Sequence, residues 1–259
     1  MTADNSFLEW VYFIWQHNWP LFLIGARNTL IIALSGTIIG FFIGVLIGII
    51  RTIPIDHKTH PVLRTAYNVV NFILLSYIEV FRGTPMMVQA MVIFYGAAMV
   101  YGVHLDPIPA GIFIVSINTG AYMAEIVRGG ILSVDKGQFE AAHSIGMTHT
   151  QTMAFIVLPQ ALRSILPATS NEFVINIKDT SVLSVISVTE LFFNSNSVAG
   201  INYRYFEVFL ITCIIYFIMT FAVTRLLRYL EVKLEGPSVY IIHGSQTVPE
   251  AQIRIVGKE

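Results

Sequence analysis

From position 21 to position 50 the chain carries one charged side chain, Arg27, in an otherwise apolar run. A helix needs about 20 apolar residues to cross the hydrocarbon layer of a bilayer. Inside lipid the backbone must satisfy its own polar groups, so such a run has to be helical. This one is long enough to cross with tilt or to protrude. Gly36, Gly40, Gly44 and Gly48 recur along it every four residues. That repeat is GxxxG three times over, and it leaves one face of the helix without side chains, where a second helix can approach closely. The face is read as a packing surface; a seam along which helices slide during gating is the sharper alternative.

The rest of the composition agrees with a polytopic membrane protein. Of 259 residues, 55% are hydrophobic and 12% charged, against about 25% charged in soluble domains, and the mean hydropathy is +0.69. A net charge of −1 argues against a nucleic-acid partner. Cys213 is the single cysteine, which rules out a disulfide framework or a cysteine metal cluster within one chain. It lies in an apolar run and is expected to be buried. The first 26 residues hold no Lys or Arg, so the charged start of a secretory signal peptide is missing and the first span is expected to serve for insertion.

In chain order, residues 1–20 hold Asp4, Glu9, Trp10, Trp15 and Trp19 and end at Pro20. Tryptophans favour the membrane interface, so this is read as an interfacial amphipathic segment. Residues 21–235 form the transmembrane body and 236–259 a polar cytoplasmic tail. Basic residues gather at 51–82, 128–163 and 225–258, whereas 103–109 has none. Lys and Arg favour cytoplasmic loops, and this orders the spans. The stretch 66–81 is interrupted by Asn68, Asn71, Ser76 and Glu79. Counting it as a separate crossing would put two basic loops on opposite sides, so it is read as an amphipathic or half-inserted helix on the cytoplasmic side. Spans are then expected at 21–50, 84–102, 110–128, 162–189 and 205–227, with the N-terminus outside. The segment 190–204, rich in Asn and Ser, is expected to be an outer loop. No internal repeat of the whole chain is visible.

The longest polar island, at about 130–160, contains EAAHSIGMTHTQTMAFIVLP, residues 140–159. Phe139, Ala142 and Met147, then Met153, Phe155 and Ile156, supply apolar faces for two short helices. Gly146 allows a tight turn between them, and Pro159 is expected to end the second. The result is a helix-turn-helix handle offered to a partner protein. Its fixed positions are Glu140, Ala141, Ala142, Gly146, Ile156, Leu158 and Pro159. At that spacing the stretch resembles the cytoplasmic coupling loop of ATP-binding-cassette (ABC) importer permeases. Further stretches place the resemblance in the polar amino acid group, from about residue 25 to 235: Arg82-Gly83-Thr84-Pro85 with Gln89, Asn118 to Glu125, Arg128-Gly129-Gly130, and Lys178-Asp179-Thr180-Ser181.

The resemblance implies an all-α membrane protein with the type I ABC importer permease fold, about five transmembrane helices and a cytoplasmic coupling helix. It implies a multi-pass protein of a prokaryotic cytoplasmic membrane that pairs with a like permease, as homodimer or heterodimer. Two ATP-binding cassette subunits would dock beneath it, and an external substrate-binding protein would deliver an amino acid. No G-x-x-x-x-G-K-[ST] is present. The chain is therefore expected to be no enzyme and to hold no cofactor itself, with ATP and Mg bound by the partner ATPase.

Ionisable groups inside spans are costly and usually functional. Span 162–189 holds Glu172, Lys178 and Asp179. Lys178 and Asp179 point about 100° apart on a helix and match the carboxylate and ammonium of an amino acid; a packing ion pair is the other reading. Asn118, Tyr122 and Glu125 share one face of span 110–128. A hydrogen bond to a neighbouring helix would also account for Asn118, and a local pair with Arg128 for Glu125. Substrate contact is assigned to Asn118, Tyr122, Glu125, Lys178 and Asp179, with membrane lipid around the body. His143 and His149 have no carboxylate or cysteine at metal-ligand spacing. A self-sufficient ion-coupled transporter is the alternative, and it would favour inverted repeats and more spans. The sequence leaves open which amino acid is carried.

Overall fold

The computed structural model describes residues 6–54, 60–235, 241–243 and 252–254. Ser6 and Glu9 form a capping box that opens helix α1, Phe7–Ile50. The helix does not stop at Pro20 but runs through it. Proline gives up one helical hydrogen bond, and neighbouring helices hold this stretch in place. Ile14 and Phe22 are fully buried and share a core with Leu191, Val198, Val208 and Ile211. Residues 7–20 are thus continuous with the helix of the first crossing.

Helix α4, Pro107–Leu132, is capped by Asp106, whose carboxylate accepts from the Ile108 amide at 3.1 Å. It packs along the glycine face of α1. A Cβ on Gly40 would stand 2.8 Å from Thr119, and one on Gly48 2.7 Å from Val127; Gly36 meets Val115 and Gly44 meets Met123 more tightly still. Each contact lies 79 positions beyond its glycine, so α1 and α4 run parallel in one register. We call the end where both begin the upper end. Two parallel neighbours leave room for one returning crossing between them.

Helix α2, Pro61–Gly83, and helix α3, Met86–Tyr101, make that return as a pair bent by 111°. The Tyr67 hydroxyl donates to the Ile50 carbonyl at 3.3 Å near the lower end, and the Tyr77 hydroxyl donates to Ile117 at mid-height. Leu74, Tyr77 and Ile78 pack on Ile43, Ile47 and Ala124. The half-inserted reading of 66–81 therefore holds in part, because α2 climbs from the lower end to mid-height and α3 completes the crossing.

Below α4 lie α5, Lys136–Ser144, and α6, His149–Thr152. The chain stays helical past α6 through a π-helical turn, Met153–Val157, into α7, Leu158–Asp179. Pro159 does not end a helix. It sits just after the π-helical turn, at the start of α7, and the helix runs on through it. A 3₁₀ stretch, Thr180–Ile186, follows, and then a 56° bend into α8, Leu191–Asn202.

The expected outer loop at 190–204 is thus a helix. Asn194 and Ser195 turn inward, whereas Asn196 and Ser197 stay exposed. Asn194 Nδ2 donates to the Leu21 carbonyl at 3.0 Å, and the Thr212 hydroxyl donates to Ser195 at 2.7 Å. Glu190, fully buried, caps α8 by accepting from the Phe192 and Phe193 amides at 2.8 and 2.6 Å, and the Tyr216 hydroxyl donates to it at 3.0 Å.

Helix α9, Tyr205–Glu235, returns to the lower end. Cys213 on it is exposed, not buried, because α9 packs through its other face, including Val208, Ile211, Thr212 and Met219. Among the described residues α1, α4 and α9 are long and apolar enough to cross a membrane, and counting the α2/α3 and α7/α8 pairs as one crossing each makes the five expected. The tail beyond 235 lies outside the described residues except for two short antiparallel strands, β1 (Ile241–His243) and β2 (Gln252–Arg254).

Candidate functional site

The break between α2 and α3 falls at mid-height, where a helix end leaves carbonyls without partners. Gln89 supplies the donors. Its Nε2 donates to the Phe81 carbonyl at 3.0 Å, to the Thr84 carbonyl at 2.9 Å and to the Thr84 hydroxyl at 2.8 Å. Its Oε1 accepts from Asn118 Nδ2 at 2.9 Å, and Asn118 also reaches Phe81 at 3.3 Å. Gln89 is buried, so this knot holds the bend fixed against α4. Asn118 therefore serves the interhelical bond that was its second reading, and does so at the rim of the site.

Next to the knot, charged groups from α2 and α7 come together near an aromatic ring of α4. The Arg82 guanidinium lies 5.5 Å from the centre of the Tyr122 ring. Glu172 and Asp179 are seven residues apart on one face of α7, and Glu172 feels the charges of both Asp179 and Arg82. Asp179 and Arg82 are exposed, Tyr122 and Glu172 half-buried. A guanidinium on one side and two carboxylates on the other match the carboxylate and ammonium of a zwitterion. Arg82 was noticed in the sequence only as part of a motif, and Glu172 only as an ionisable residue inside a span.

The remaining candidates lie elsewhere. Both oxygens of Glu125 are taken, one by Arg51 and the other by Arg128 at 2.9 Å. The pair with Arg128 was foreseen, while Arg51 comes from α1, 74 positions away. Lys178 turns to the α9 side of α7, where it lines a recess with Arg225 and Arg228. It acts on Asp179 by charge alone.

At the lower end the handle has the expected form. Asp135 caps α5, accepting from the Gly137 amide at 2.6 Å, and Thr148 and Gln151 form a capping box on α6. Gly146 sits between them with φ +82°, a conformation that favours glycine. Glu140, Ala141 and Pro159 are exposed and Ile156 and Leu158 half-buried, whereas Ala142 turns inward. Phe139 joins a core of Val127, Ile131, Met153 and Val157. Phe155 does not supply an inward face as expected. It is 74% exposed, as Ile145 is at 76%, so the handle presents two large apolar side chains outward.

Charged groups brought to mid-height and left open to one side suit the passage of a polar solute better than anchorage, and the class so defined is a membrane permease. Residues 65–236 match the family of binding-protein-dependent transport system inner membrane components, and the chain belongs to that family. It is 36% identical over 227 residues to the glutamine transport system permease protein GlnP of Escherichia coli K12, covering 86% of this chain and 98% of that one. It is also 36% identical over 221 residues to the L-cystine transport system permease protein TcyB of Bacillus subtilis, covering 85% and 89%. A crystal structure of an amino acid ABC transporter with histidines superposes with a TM-score of 0.75 at 37% identity, over 90% of this chain and all of that one. The MetNI methionine ABC transporter shares the fold, with a TM-score of 0.62 at 19% identity.

Proposed function

We propose that this chain is the membrane-spanning subunit of an ATP-driven importer for a polar amino acid, set with its lower end in the cytoplasm. The observation that carries this is the cluster of charges at mid-height, where Arg82 lies near Glu172 and Asp179 in a body whose relatives are amino acid permeases. Asp179 and Glu172 receive the substrate ammonium. Arg82, backed by Tyr122, receives the carboxylate, and Asn118 with Gln89 fixes the rim. Lys178 steadies the charge of Asp179 from the adjacent face of α7, and Glu125 holds α1 to α4 beneath these charges.

An external binding protein loads the upper end. A second permease, alike or similar, completes the passage. Two separate ATPase subunits bind ATP and Mg and grip the handle at Glu140, Ala141 and Gly146, with Ile145 and Phe155 as apolar contacts. Ile156, Leu158 and Pro159 pass the movement into α7.

The test is uptake in proteoliposomes containing the whole complex, beside ATPase stimulation by the loaded binding protein. Asp179→Asn keeps the shape and removes the charge. Losing a charge-assisted hydrogen bond costs roughly 1.5–3 kcal/mol, so transport should fall about ten- to a hundredfold with ATPase docking intact. Wild-type uptake in this variant and in Arg82→Gln would place the substrate elsewhere.

A further inference from the structure

The charges at mid-height carry a surplus of one sign. Glu79 precedes Arg82 by three residues on α2, so the two side chains are neighbours on one side of the helix, about 4.5 Å apart in height. Glu79 stands two residues past Tyr77, whose hydroxyl is anchored on α4, and its side chain is exposed. With Glu172 and Asp179 on α7 it makes three carboxylates around this level. Among the described residues none of the three accepts a hydrogen bond or enters an ion pair; the ion pairs are Arg51–Glu125, Arg128–Glu125 and Arg204–Glu207.

Two cations stand against these carboxylates. Arg82 lies against the Tyr122 ring and acts on Glu172, and Lys178 acts on Asp179. Glu125, beneath, has both oxygens taken by Arg51 and Arg128 and offers a cargo nothing. A charge inside a spanning body is kept where it is paired or where it meets a solute. The ammonium and carboxylate of an amino acid cancel each other, so a neutral side chain leaves one carboxylate unmatched. An acidic side chain would add a further negative group beside three others, which repel it. A cationic side chain closes the balance. A second copy of this chain would bring the same surplus and does not correct it.

Spacing points the same way. Glu172 and Asp179 are seven residues apart, about 10 Å along α7. That separation leaves room for a cation on each. Arginine and lysine carry a second cation at the far end of a flexible side chain.

We propose that the site takes an amino acid with a cationic side chain, and that Glu79 sets this preference by supplying the third carboxylate. The inference rests on the reading of Arg82, Glu172 and Asp179 as substrate contacts. The α-carboxylate lies on Arg82 and the α-ammonium engages one carboxylate of α7. The other, with Glu79, draws the side-chain cation.

The assay takes the assembled permease and ATPase complex in nanodiscs without the external binding protein, so that the selectivity measured belongs to the membrane body. Equilibrium binding of radiolabelled arginine, glutamine and glutamate is compared. Arginine should bind at least about tenfold tighter than glutamine, and glutamate weakest. Glu79→Gln should weaken arginine binding about tenfold and glutamine binding much less, while Glu79→Asp should keep most of the preference. A purely structural role for Glu79 would weaken both ligands alike.

Equal affinity of wild type for arginine and glutamine would overturn the proposal. So would tighter binding of glutamate, an equal loss of both ligands in Glu79→Gln, or no measurable binding of arginine. Uptake in Asp179→Asn and Arg82→Gln tests the site itself. Binding without selectivity, beside lost uptake in those two variants, removes the cargo class and leaves the site standing.

Discussion

Asn176 ties three crossings together with one side chain. Its Nδ2 donates to the hydroxyls of Thr37 on α1 and Thr119 on α4, at 2.8 and 3.0 Å, in a site where all three residues are buried. In membranes such bonds average about 0.6 and reach about 1.7 kcal/mol. Asn176→Leu should therefore lower the detergent unfolding midpoint by a few degrees without disturbing insertion, and an unchanged midpoint would mean the bonds add nothing net. The sequence offered Asn176 as one polar residue among several in its span, because its partners lie 139 and 57 positions away. Glu190 was hidden for a related reason. It stands at the head of an Asn- and Ser-rich stretch that reads as an exposed turn, and its burial depends on Tyr216 in another helix. Asn118 and Asp179, by contrast, were legible from their cost alone, since a polar group inside a span has to be used.

At the scale of elements, the glycine face of α1 was the most legible feature, because close approach of two helices needs small residues at a fixed spacing. Gly44→Val should cost about 1–3 kcal/mol or more by forcing side chains into Met123. Gly129→Ala, with nothing within 4 Å of the added carbon, should stabilise α4 by roughly 0.5–1 kcal/mol. Unfolding midpoints measured side by side would expose any failure of that opposite pair of signs. In the handle, nothing lies within 4 Å of a Cβ on Gly146, so Gly146→Arg adds bulk outward. Together with Glu140→Lys, it should leave insertion normal and abolish co-purification of the ATPase or its coupling to uptake. Full docking and transport by both variants would remove the handle from the mechanism. The break between α2 and α3 falls where the sequence reading ends one helix at 81 and opens a span at 84, but the bend between α7 and α8 was not legible, since hydrophobicity sets how much chain enters the bilayer and says little about where it turns.

For the whole molecule, the count of crossings followed from apolar length and the placing of basic residues. The parallel course of α1 and α4 supports it independently. Single cysteines at His60, Asp106 and Thr150 in a Cys213→Ser background should react differently with an impermeant thiol reagent, only the one at 106 being labelled from outside. External labelling at 60 would reverse or break the proposed orientation. The glycine register also restricts how such a chain can vary in length. Deleting one residue anywhere from 37 to 47 would turn the lower part of α1 by about 100°, swing Gly48 off Val127 and drive a side chain into its place. The same deletion in the exposed turn 102–104 crosses no packed seam. Insertions and deletions tolerated by this protein should therefore collect in the turns between crossings, while α1 and α4 behave as a ruler whose graduations admit substitution but no change of count.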